Sequence, residues 1–159
     1  MVTGRDEKSL GETVGEIVHG GGKARHVAGE GRASAVLAAA VERAKEVFGP
    51  LDIVIDAELT DVEYTFAATV PQLQSPGRLL LVTSARSRET SREALGLVAR
   101  ERAGGLPKGA TCNAIVVENL AAGDDGDDVA AEVGELAVFL CSRAADRITG
   151  QAIALQAGA

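Results

Sequence analysis

Three polar residues in the middle of the chain have the types and spacing of an anion-binding site. Ser84 ends the apolar run RLLLVTS, and Arg88 and Arg92 follow it at a spacing of four residues. A pair of guanidinium groups suits a phosphate or carboxylate ligand, because each group can offer paired hydrogen bonds. Arginine does not release its proton at neutral pH, so neither residue can act as an acid–base catalyst. These residues indicate a crevice for an anionic ligand such as an acyl-CoA or a nucleotide.

Other reactive residue types are few. Cys112 and Cys141 fall on apolar patterns, so we expect small core residues rather than nucleophiles. His19 and His26 cannot build a histidine-rich metal site by themselves. The acidic loop holds Asp124, Asp125, Asp127 and Asp128. It lacks the spacing of a calcium loop, so we expect a solvated loop in which Asp127 or Asp128 caps the next helix, and no metal site.

Strand and helix patterns alternate along the chain and must position these residues. The predicted strands are Lys23–Ala28, Leu51–Ile55, Arg78–Thr83, Thr111–Val117 and Gln151–Leu155. The predicted helices begin at Asp6, at Ser34, at a capping box of Thr60 with Glu63, at Thr90 or Ser91, and at Asp127 or Asp128. Such alternation predicts an α/β fold with one doubly wound, mainly parallel sheet that helices cover on both faces.

Composition excludes several classes of function. The chain has 159 residues, a net charge of −7 and 3% aromatic residues, so neither the basic surface nor the stacking residues of a nucleic-acid-binding protein are expected. No apolar run is long enough for a membrane span, and the first residues do not resemble a signal peptide. Two cysteines do not make a disulfide framework, so we expect a protein of the reducing cytoplasm without a membrane or nucleic-acid partner.

Several segments, in order, resemble the short-chain dehydrogenases/reductases, especially the ketoacyl and hydroxyacyl reductases. The resemblance is carried by TGRDEKSLGETVGEI, VLAAAVERAKEVFGPLDIVI, GRLLLVTS, GATCNAIVVEN and VGELAVFLCSRAADRITGQAIALQAG. It implies a Rossmann-like sheet in a single truncated domain, residues 1–159. Met1 falls where the family's second strand begins, so the first strand and its glycine-rich turn are expected to be absent.

The resemblance also bears on the cofactor. Arg5 stands where NADP-preferring members have an arginine for the 2′-phosphate. Glu30 follows the third family strand, where an acidic residue approaches adenine, but Asp56 and Glu58 would repel a dinucleotide phosphate. The cluster Gly20–Gly22 follows a helix and precedes a strand, so we expect a helix end and not a phosphate loop. The sequence therefore predicts no cofactor and no NAD(P) binding.

The family's catalytic serine, tyrosine and lysine are only partly matched. Ser84 occupies the serine position, whereas Arg88 and Arg92 stand where the tyrosine and the lysine belong. The one tyrosine of the chain, Tyr64, lies on a different predicted helix and is expected to be a packing residue. Together with the cofactor prediction, this pattern predicts a catalytically silent chain.

The leading hypothesis from the sequence is therefore a subunit that stabilises an active NAD(P)-dependent hydroxyacyl or ketoacyl dehydrogenase. The surfaces through which family members associate correspond to segments 90–103 and 129–158, which would bind a full-length dehydrogenase or a second copy. Removal of a central strand would also leave apolar surface to be covered. The alternatives are a small atypical enzyme or binding protein that uses the crevice of Ser84, Arg88 and Arg92, and an incomplete gene product.

Overall fold

Strands and helices alternate along the chain in a computed structural model that describes residues 1–29, 33–57, 62–84, 92–118 and 126–156. At residues 33, 34, 92–94, 126 and 127 it describes the backbone alone. The strands are β1 Val2–Gly4, β2 His26–Ala28, β3 Leu51–Asp56, β4 Leu73–Ser84, β5 Thr111–Glu118 and β6 Ala152–Gln156. The α-helices are α1 Glu7–His19, α2 Ala33–Phe48, α3 Val62–Thr69, α4 Arg92–Ala103 and α5 Gly126–Cys141. Short 3₁₀ helices occupy Val70–Gln72 and Arg143–Ala145.

The contacts within the chain define two compact units, the first of which comprises Met1–Leu51 and Thr60–Gln72. In this unit β1 and β2 form a parallel pair, in which Val2 lies opposite His26 and Gly4 opposite Ala28. Helices α1 and α2 both pack against these strands, and α3 packs against α2. The pair of strands and its helices therefore form a small parallel α/β layer.

The second unit comprises Asp52–Leu59 and Leu73–Ala159 and contains a four-stranded sheet in the order β3-β4-β5-β6. Strands β4 and β5 are parallel from Arg78 opposite Thr111 to Ser84 opposite Val117. Strand β6 runs parallel to β5 on its other side. β5 is the best buried of the described strands, since all its residues except the last are buried. Apolar β-branched runs favour such central parallel strands.

The two faces of this sheet are covered by different helices. On one face, Leu80 and Ile115 form a buried cluster with Leu140 of α5, and Ile153 of β6 packs against it. Since alternate strand residues point to opposite faces, Ala114 and its neighbour Ala152 lie on the other face. There α4 packs against β5 and β6, and Gly96 lies next to Ala152. The sheet is therefore sandwiched between α4 and α5.

Helix α1 ends at the glycine cluster, as predicted. The amide of Gly22 donates to the carbonyl of Ile17 at 2.9 Å, and the amide of Gly21 donates to that of Val18 at 3.0 Å. Gly21 has a φ of 87°, in the left-handed region that favours glycine. These bonds form the common helix ending that satisfies the last carbonyl groups. The cluster is followed by β2, not by a helix, which agrees with the prediction that it is not a phosphate loop.

Some predicted boundaries are wrong. Strand β4 begins at Leu73 rather than at Arg78, because the segment of Ser75, Pro76 and Gly77 is extended and not a helix-breaking turn. Strand β2 begins only at His26.

Two predicted helix caps are also wrong. Ser34 lies inside α2, whose first residue is Ala33. Asp127 and Asp128 lie inside α5, where the carboxylate of Asp128 in the first turn still stabilises the helix end through its charge. The predicted caps Thr60, Thr90 and Ser91 lie outside the described residues.

The predicted α/β, mainly parallel, Rossmann-like architecture is confirmed, and the hydrogen bonds group the described strands into a pair and a set of four. The single domain over residues 1–159 stays a prediction. None of the helices described has the length and apolar character that crossing a bilayer requires.

Candidate functional site

A cavity of about 680 Å³ opens at the carboxyl ends of β1 and β2. It is lined by Arg5, Asp6 and Glu7, which follow β1, and by Ala28 and Gly29, which end and follow β2. Ligand sites in proteins are commonly about 300–1,000 Å³, and in open parallel sheets they lie outside the carboxyl ends of the strands. The cavity is widely open to solvent, and its position at the carboxyl ends of the strands is what suits a small-molecule ligand.

The charges at the cavity are arranged by the start of α1. Asp6 caps this helix, since its carboxylate accepts the amide of Lys8 at 2.9 Å, the amide of Ser9 at 3.4 Å and the Ser9 hydroxyl at 2.9 Å. The hydrogen bonds from Ser9, and then that from Lys8, hold the pKa of Asp6 below its ordinary value of 3.8. The carboxylate thus stays ionised, and helix amides share its charge. Arg5 adds a permanent cation beside it.

Gly29 lets the chain pass close to helix α2 at the cavity wall. A Cβ atom at Gly29 would overlap Cγ2 of Val36, so a larger residue at position 29 would force the backbone or the Val36 side chain to move. The amide of Gly29 also donates to the carbonyl of Gly4 at 3.2 Å, so the two strand ends are tied together. With Ala28, this side of the cavity has no large side chain, which leaves room for a flat group.

Of the three polar residues predicted to line a crevice, the structure describes Ser84 and the backbone of Arg92, and both belong to the second unit. Ser84 is half-buried at the carboxyl end of β4, opposite Val117 of β5. Arg92 is the first residue of α4, with only its backbone described, and Arg88 lies outside the described residues. Ser84 thus lies at the carboxyl end of its strand, as the sequence predicts. A crevice lined by Ser84, Arg88 and Arg92 stays a prediction.

The cysteines have the environment expected of packing residues. Cys112 is buried on β5, and burial raises the pKa of its thiol to about 12 despite the opposing charge of Arg102. Cys141 ends α5, and burial raises its pKa too, against the opposing charge of Arg78. Both groups are therefore thiols, not thiolates, at neutral pH, and they are weak nucleophiles.

The remaining titratable residues named from the sequence do not form a centre. Tyr64 lies half-buried on α3, and not on α4 with Arg92. His19 ends α1 and His26 begins β2. Over the part of the chain that the structure describes, no group of histidine, cysteine and carboxylate residues could hold a metal ion. Glu30, Glu58 and most of the acidic loop lie outside that part, and Asp56 ends β3.

Sequence reasoning named Arg5 but missed the cavity beside it. The cavity depends on the parallel pairing of β1 with β2, which brings Gly4 next to Gly29. A signal was present, because a strand, an arginine and an aspartate cap follow each other at Val2–Asp6. β2, the strand that pairs with β1, is only three residues long, so the sequence pattern does not reveal this pairing.

No family model matches the sequence, and no curated protein does. Solved structures do match. A hydroxysteroid dehydrogenase from Escherichia coli matches with a TM-score of 0.78 and 17% identity, over 99% of this chain and 85% of that one. A mutant short-chain dehydrogenase/reductase from Serratia marcescens matches with a TM-score of 0.77 and 17% identity, over 98% and 85%. At this identity the likeness shows the fold alone.

Two similar structures, each solved with a bound nucleotide, contradict the prediction of no cofactor. A short-chain dehydrogenase from Burkholderia cenocepacia J2315 in complex with NADP matches with a TM-score of 0.72 and 18% identity, over 98% of this chain and 85% of that one. A blue fluorescent protein from a metagenomic library was likewise solved in complex with NADPH. The prediction of no cofactor is therefore wrong for this fold. It gave more weight to the absent glycine-rich turn and to the charges of Asp56 and Glu58 than to Arg5, beside which the cavity lies. The chain has the fold of the short-chain dehydrogenases/reductases.

Proposed function

We propose that this chain binds an NADP(H)-type adenine nucleotide in the cavity at the carboxyl ends of β1 and β2. The cavity beside Arg5 is the observation that carries the proposal. Its volume of about 680 Å³ accommodates a nucleotide, and the nucleotides bound in similar structures support the assignment. When bound, such a cofactor supplies hydride-transfer chemistry.

Arg5, Ala28 and Gly29 fit the adenosine end of this ligand, whereas the Glu7 carboxylate at the same cavity does not favour a phosphate. Arg5 would hold a ribose phosphate through charge-assisted hydrogen bonds. Ala28 and Gly29 leave space for the flat base. The charge of Asp6 is directed to the amides of α1, which reduces its repulsion of a phosphate. Binding and orientation of the nucleotide are thus the contributions of this chain's own residues.

Titration of the chain with NADPH and with NADH, followed by calorimetry, tests the proposal. We expect saturable NADPH binding that Arg5→Gln weakens about tenfold to a hundredfold, since a charged hydrogen bond contributes about 1.5–3 kcal/mol. NADH binding should change little, because NADH lacks the additional phosphate. Arg25→Gln is the matched control, since Arg25 is exposed at the opposite, amino end of β2. No saturable binding of either nucleotide by the unaltered chain would refute the proposal.

A second candidate function is that of a subunit which assembles with a full-length, active dehydrogenase. It is favoured by large apolar side chains exposed on two helices: Leu97 of α4 is 65% exposed, and Val138 and Phe139 of α5 are 72% and 44% exposed. Exposed apolar patches are typical of interaction surfaces. These residues lie in segments 90–103 and 129–158, through which the sequence resemblance implies association.

Catalytic silence of this subunit would follow from Arg88 and Arg92 at the tyrosine and lysine positions of the family. The active partner would then supply the NAD(P)H-dependent reduction of a ketoacyl thioester, or the reverse oxidation of a hydroxyacyl thioester by NAD(P)+, which is the class that the sequence resemblance implies. A reducing cytoplasm is the compartment proposed, since both Cys112 and Cys141 are free thiols.

Native mass spectrometry of the chain purified from its own host tests this second candidate. We expect an assembly that contains an active dehydrogenase and that Val138→Asp dissociates. Val18→Asp is the matched control, because Val18 is 50% exposed on α1, outside both segments. The isolated chain should not oxidise NADPH in the presence of a ketoacyl thioester. A monomer without a partner, or NADPH oxidation by the chain alone, would exclude the silent-subunit function.

A further inference from the structure

Four exposed cations form a basic cluster at the side of the four-stranded sheet where its strands begin. Helices α4 and α5 run back along the sheet, so the segments after them lead to the amino ends of β5 and β6. Arg100 lies in the last turn of α4, Lys108 precedes β5, and Arg143 and Arg147 lie between α5 and β6. All four residues are exposed, so their charges are available to a partner.

Contacts within the second unit bring these segments together. The buried Arg78 at the amino end of β4 pairs with Asp146, and it also donates to the carbonyl of Gly109 at 3.4 Å. The segment before β5 and the segment before β6 therefore both lie beside β4. A Cβ atom at Gly150 would lie 3.1 Å from Cα of Arg100, so the end of α4 meets the segment before β6. The basic cluster thus occupies one side of a single unit.

The cations of the basic cluster are not paired within the protein. Over the described ranges, none of the four side chains takes part in an ion pair, whereas Lys8 and Arg43 on the first two helices pair with glutamates of their own helix. A cation in the last turn of a helix is favoured by the helix dipole, which accounts for Arg100. Lys108 and Arg147 lie in connecting segments, so the dipole does not explain their charges.

The carboxylates on the same side of the sheet do not cancel this charge. Asp146 is paired with the buried Arg78, so its charge is already compensated. Among the described residues of the second unit, the other carboxylates on this side are Asp52 and Glu101, so the exposed cations outnumber them. The whole chain has a net charge of −7, but charges more than about 8 Å apart are largely screened at physiological ionic strength. A partner therefore meets a locally positive surface.

The arrangement suits a chain of negative charges rather than one small anion. Arg100 belongs to α4 and Arg143 follows α5, and these helices lie on opposite faces of the sheet, so the cations are spread across the layers. Guanidinium groups bind carboxylates through paired hydrogen bonds. Segments 104–110 and 142–151 contain no aromatic residue that could stack on a nucleic-acid base. These features favour an acidic polypeptide over a nucleic acid.

We propose that the basic cluster binds an acidic segment of another polypeptide, in which glutamate or aspartate side chains recur along an extended chain. Its carboxylates would pair with Arg143 and Arg147 on the α5 side, with Lys108 before the central strand, and with Arg100 on the α4 side. This inference does not depend on nucleotide binding at Arg5. It also uses other side chains than the exposed apolar residues of α4 and α5.

Fluorescence anisotropy with labelled synthetic peptides and the full chain tests this inference. The probe is a peptide in which glutamate and serine alternate, and the matched probe has glutamine in place of each glutamate. We expect saturable binding of the glutamate peptide that weakens as salt is added, and at least about tenfold weaker binding of the glutamine peptide. The double variant with Arg143→Gln and Arg147→Gln should bind the glutamate peptide about threefold to tenfold more weakly.

A matched control separates the basic cluster from the net charge of the chain. The double variant with Lys8→Gln and Arg43→Gln removes the same two charges from exposed positions of α1 and α2. Its affinity for the glutamate peptide should stay within about twofold of that of the unaltered chain. Lys108→Gln is a second test on a different segment, and we expect it to weaken binding about twofold to fivefold.

Three outcomes would overturn the inference. One is equal binding, or absent binding, of the two peptides. Another is that the double variant of Arg143 and Arg147 binds the glutamate peptide no more weakly than the control double variant, with circular dichroism showing that both are folded. The third is tighter binding of a single-stranded oligothymidylate than of the glutamate peptide, because the basic cluster would then bind nucleic acid.

Discussion

The guanidinium group of Arg78 forms an ion pair with the carboxylate of Asp146, 68 residues further along the chain. The arginine side chain is 6% exposed and the aspartate side chain 52% exposed, so a buried cation is neutralised from the surface. Nη1 of Arg78 also donates to the carbonyl groups of Gly77 at 3.0 Å and Gly109 at 3.4 Å. One side chain thus connects β4, the turn before β5 and the 3₁₀ helix that follows α5.

Replacement of Asp146 by asparagine should therefore destabilise the protein more than the loss of a surface pair. The buried guanidinium would lose its counter-charge, and we expect a loss of about 1–3 kcal/mol in the free energy of unfolding. Glu46→Gln is the control, because Glu46 and Arg43 form an exposed pair that contributes at most about 1 kcal/mol. Urea denaturation of both variants measures the difference. Equal stability of the two variants would contradict this account of Arg78.

The buried thiol of Cys112 predicts a loss of stability at high pH. Burial raises its pKa from 9.0 to about 12, so the folded state binds this proton more tightly than the unfolded state. The stabilisation is complete below pH 9.0 and is lost as the pH rises to about 12. Between these values the free energy of unfolding should fall by about 1.4 kcal/mol per pH unit through this group. Cys112→Ala should remove that slope, measured against the unaltered chain by denaturation at each pH.

Asn113 links β5 to the segment that precedes β6, and its loss should be costly. Its side-chain amide donates to the carbonyl of Ile148 at 2.8 Å, and its side-chain oxygen accepts the amide of Gln151 at 3.2 Å. Asn113 is 1% exposed, so Asn113→Leu would leave both backbone groups without these partners. We expect a loss of about 1–3 kcal/mol, as two partly buried backbone groups lose hydrogen bonds. Gln151→Ala, an exposed position, should change stability by less than about 0.5 kcal/mol in the same thermal denaturation.

Two glycines of α1 and its end should respond in opposite directions to the same substitution. Gly21 has a φ of 87°, so Gly21→Ala should cost about 1 kcal/mol in the free energy of unfolding. Gly15 lies inside α1, and a Cβ there would meet no atom within 4 Å, so Gly15→Ala should stabilise the protein by up to about 1 kcal/mol. Thermal denaturation distinguishes the two effects. A stabilising Gly21→Ala would mean that the helix end differs from the one described.

The alternation of elements could be predicted from the sequence because the buried strands contain continuous apolar runs. Leu79, Leu80 and Leu81 are all nearly inaccessible to solvent, as are Ile115 and Val116. Such runs are visible in the sequence without knowledge of their neighbours. The start of β4 was not predictable in the same way, because Pro76 and Gly77 are typical turn residues and only the tertiary structure keeps them extended.

The nucleotide cavity could be predicted only in part. Arg5 has a recognisable position after a strand, but the wall formed by Ala28 and Gly29 comes from a strand that pairs with β1 in three dimensions. The prediction of no cofactor rested on the absent glycine-rich turn and on the charges of Asp56 and Glu58, and the cavity itself was not part of it. The division of the strands into a pair and a set of four also depends on hydrogen bonds that sequence periodicity does not specify.

β5 separates the residues that pack against α4 from those that pack against α5. A substitution on one face of the sheet should therefore have little effect on the packing of the other face. Ala114 packs on the side of α4 and Ile115 on the side of α5, although they are adjacent in the chain. Effects of substitutions should be strongly coupled among residues of one layer, such as Ile115 and Leu140, and nearly additive between layers. The residues on the α4 side and those on the α5 side can therefore vary in sequence independently, provided that β5 remains the central strand.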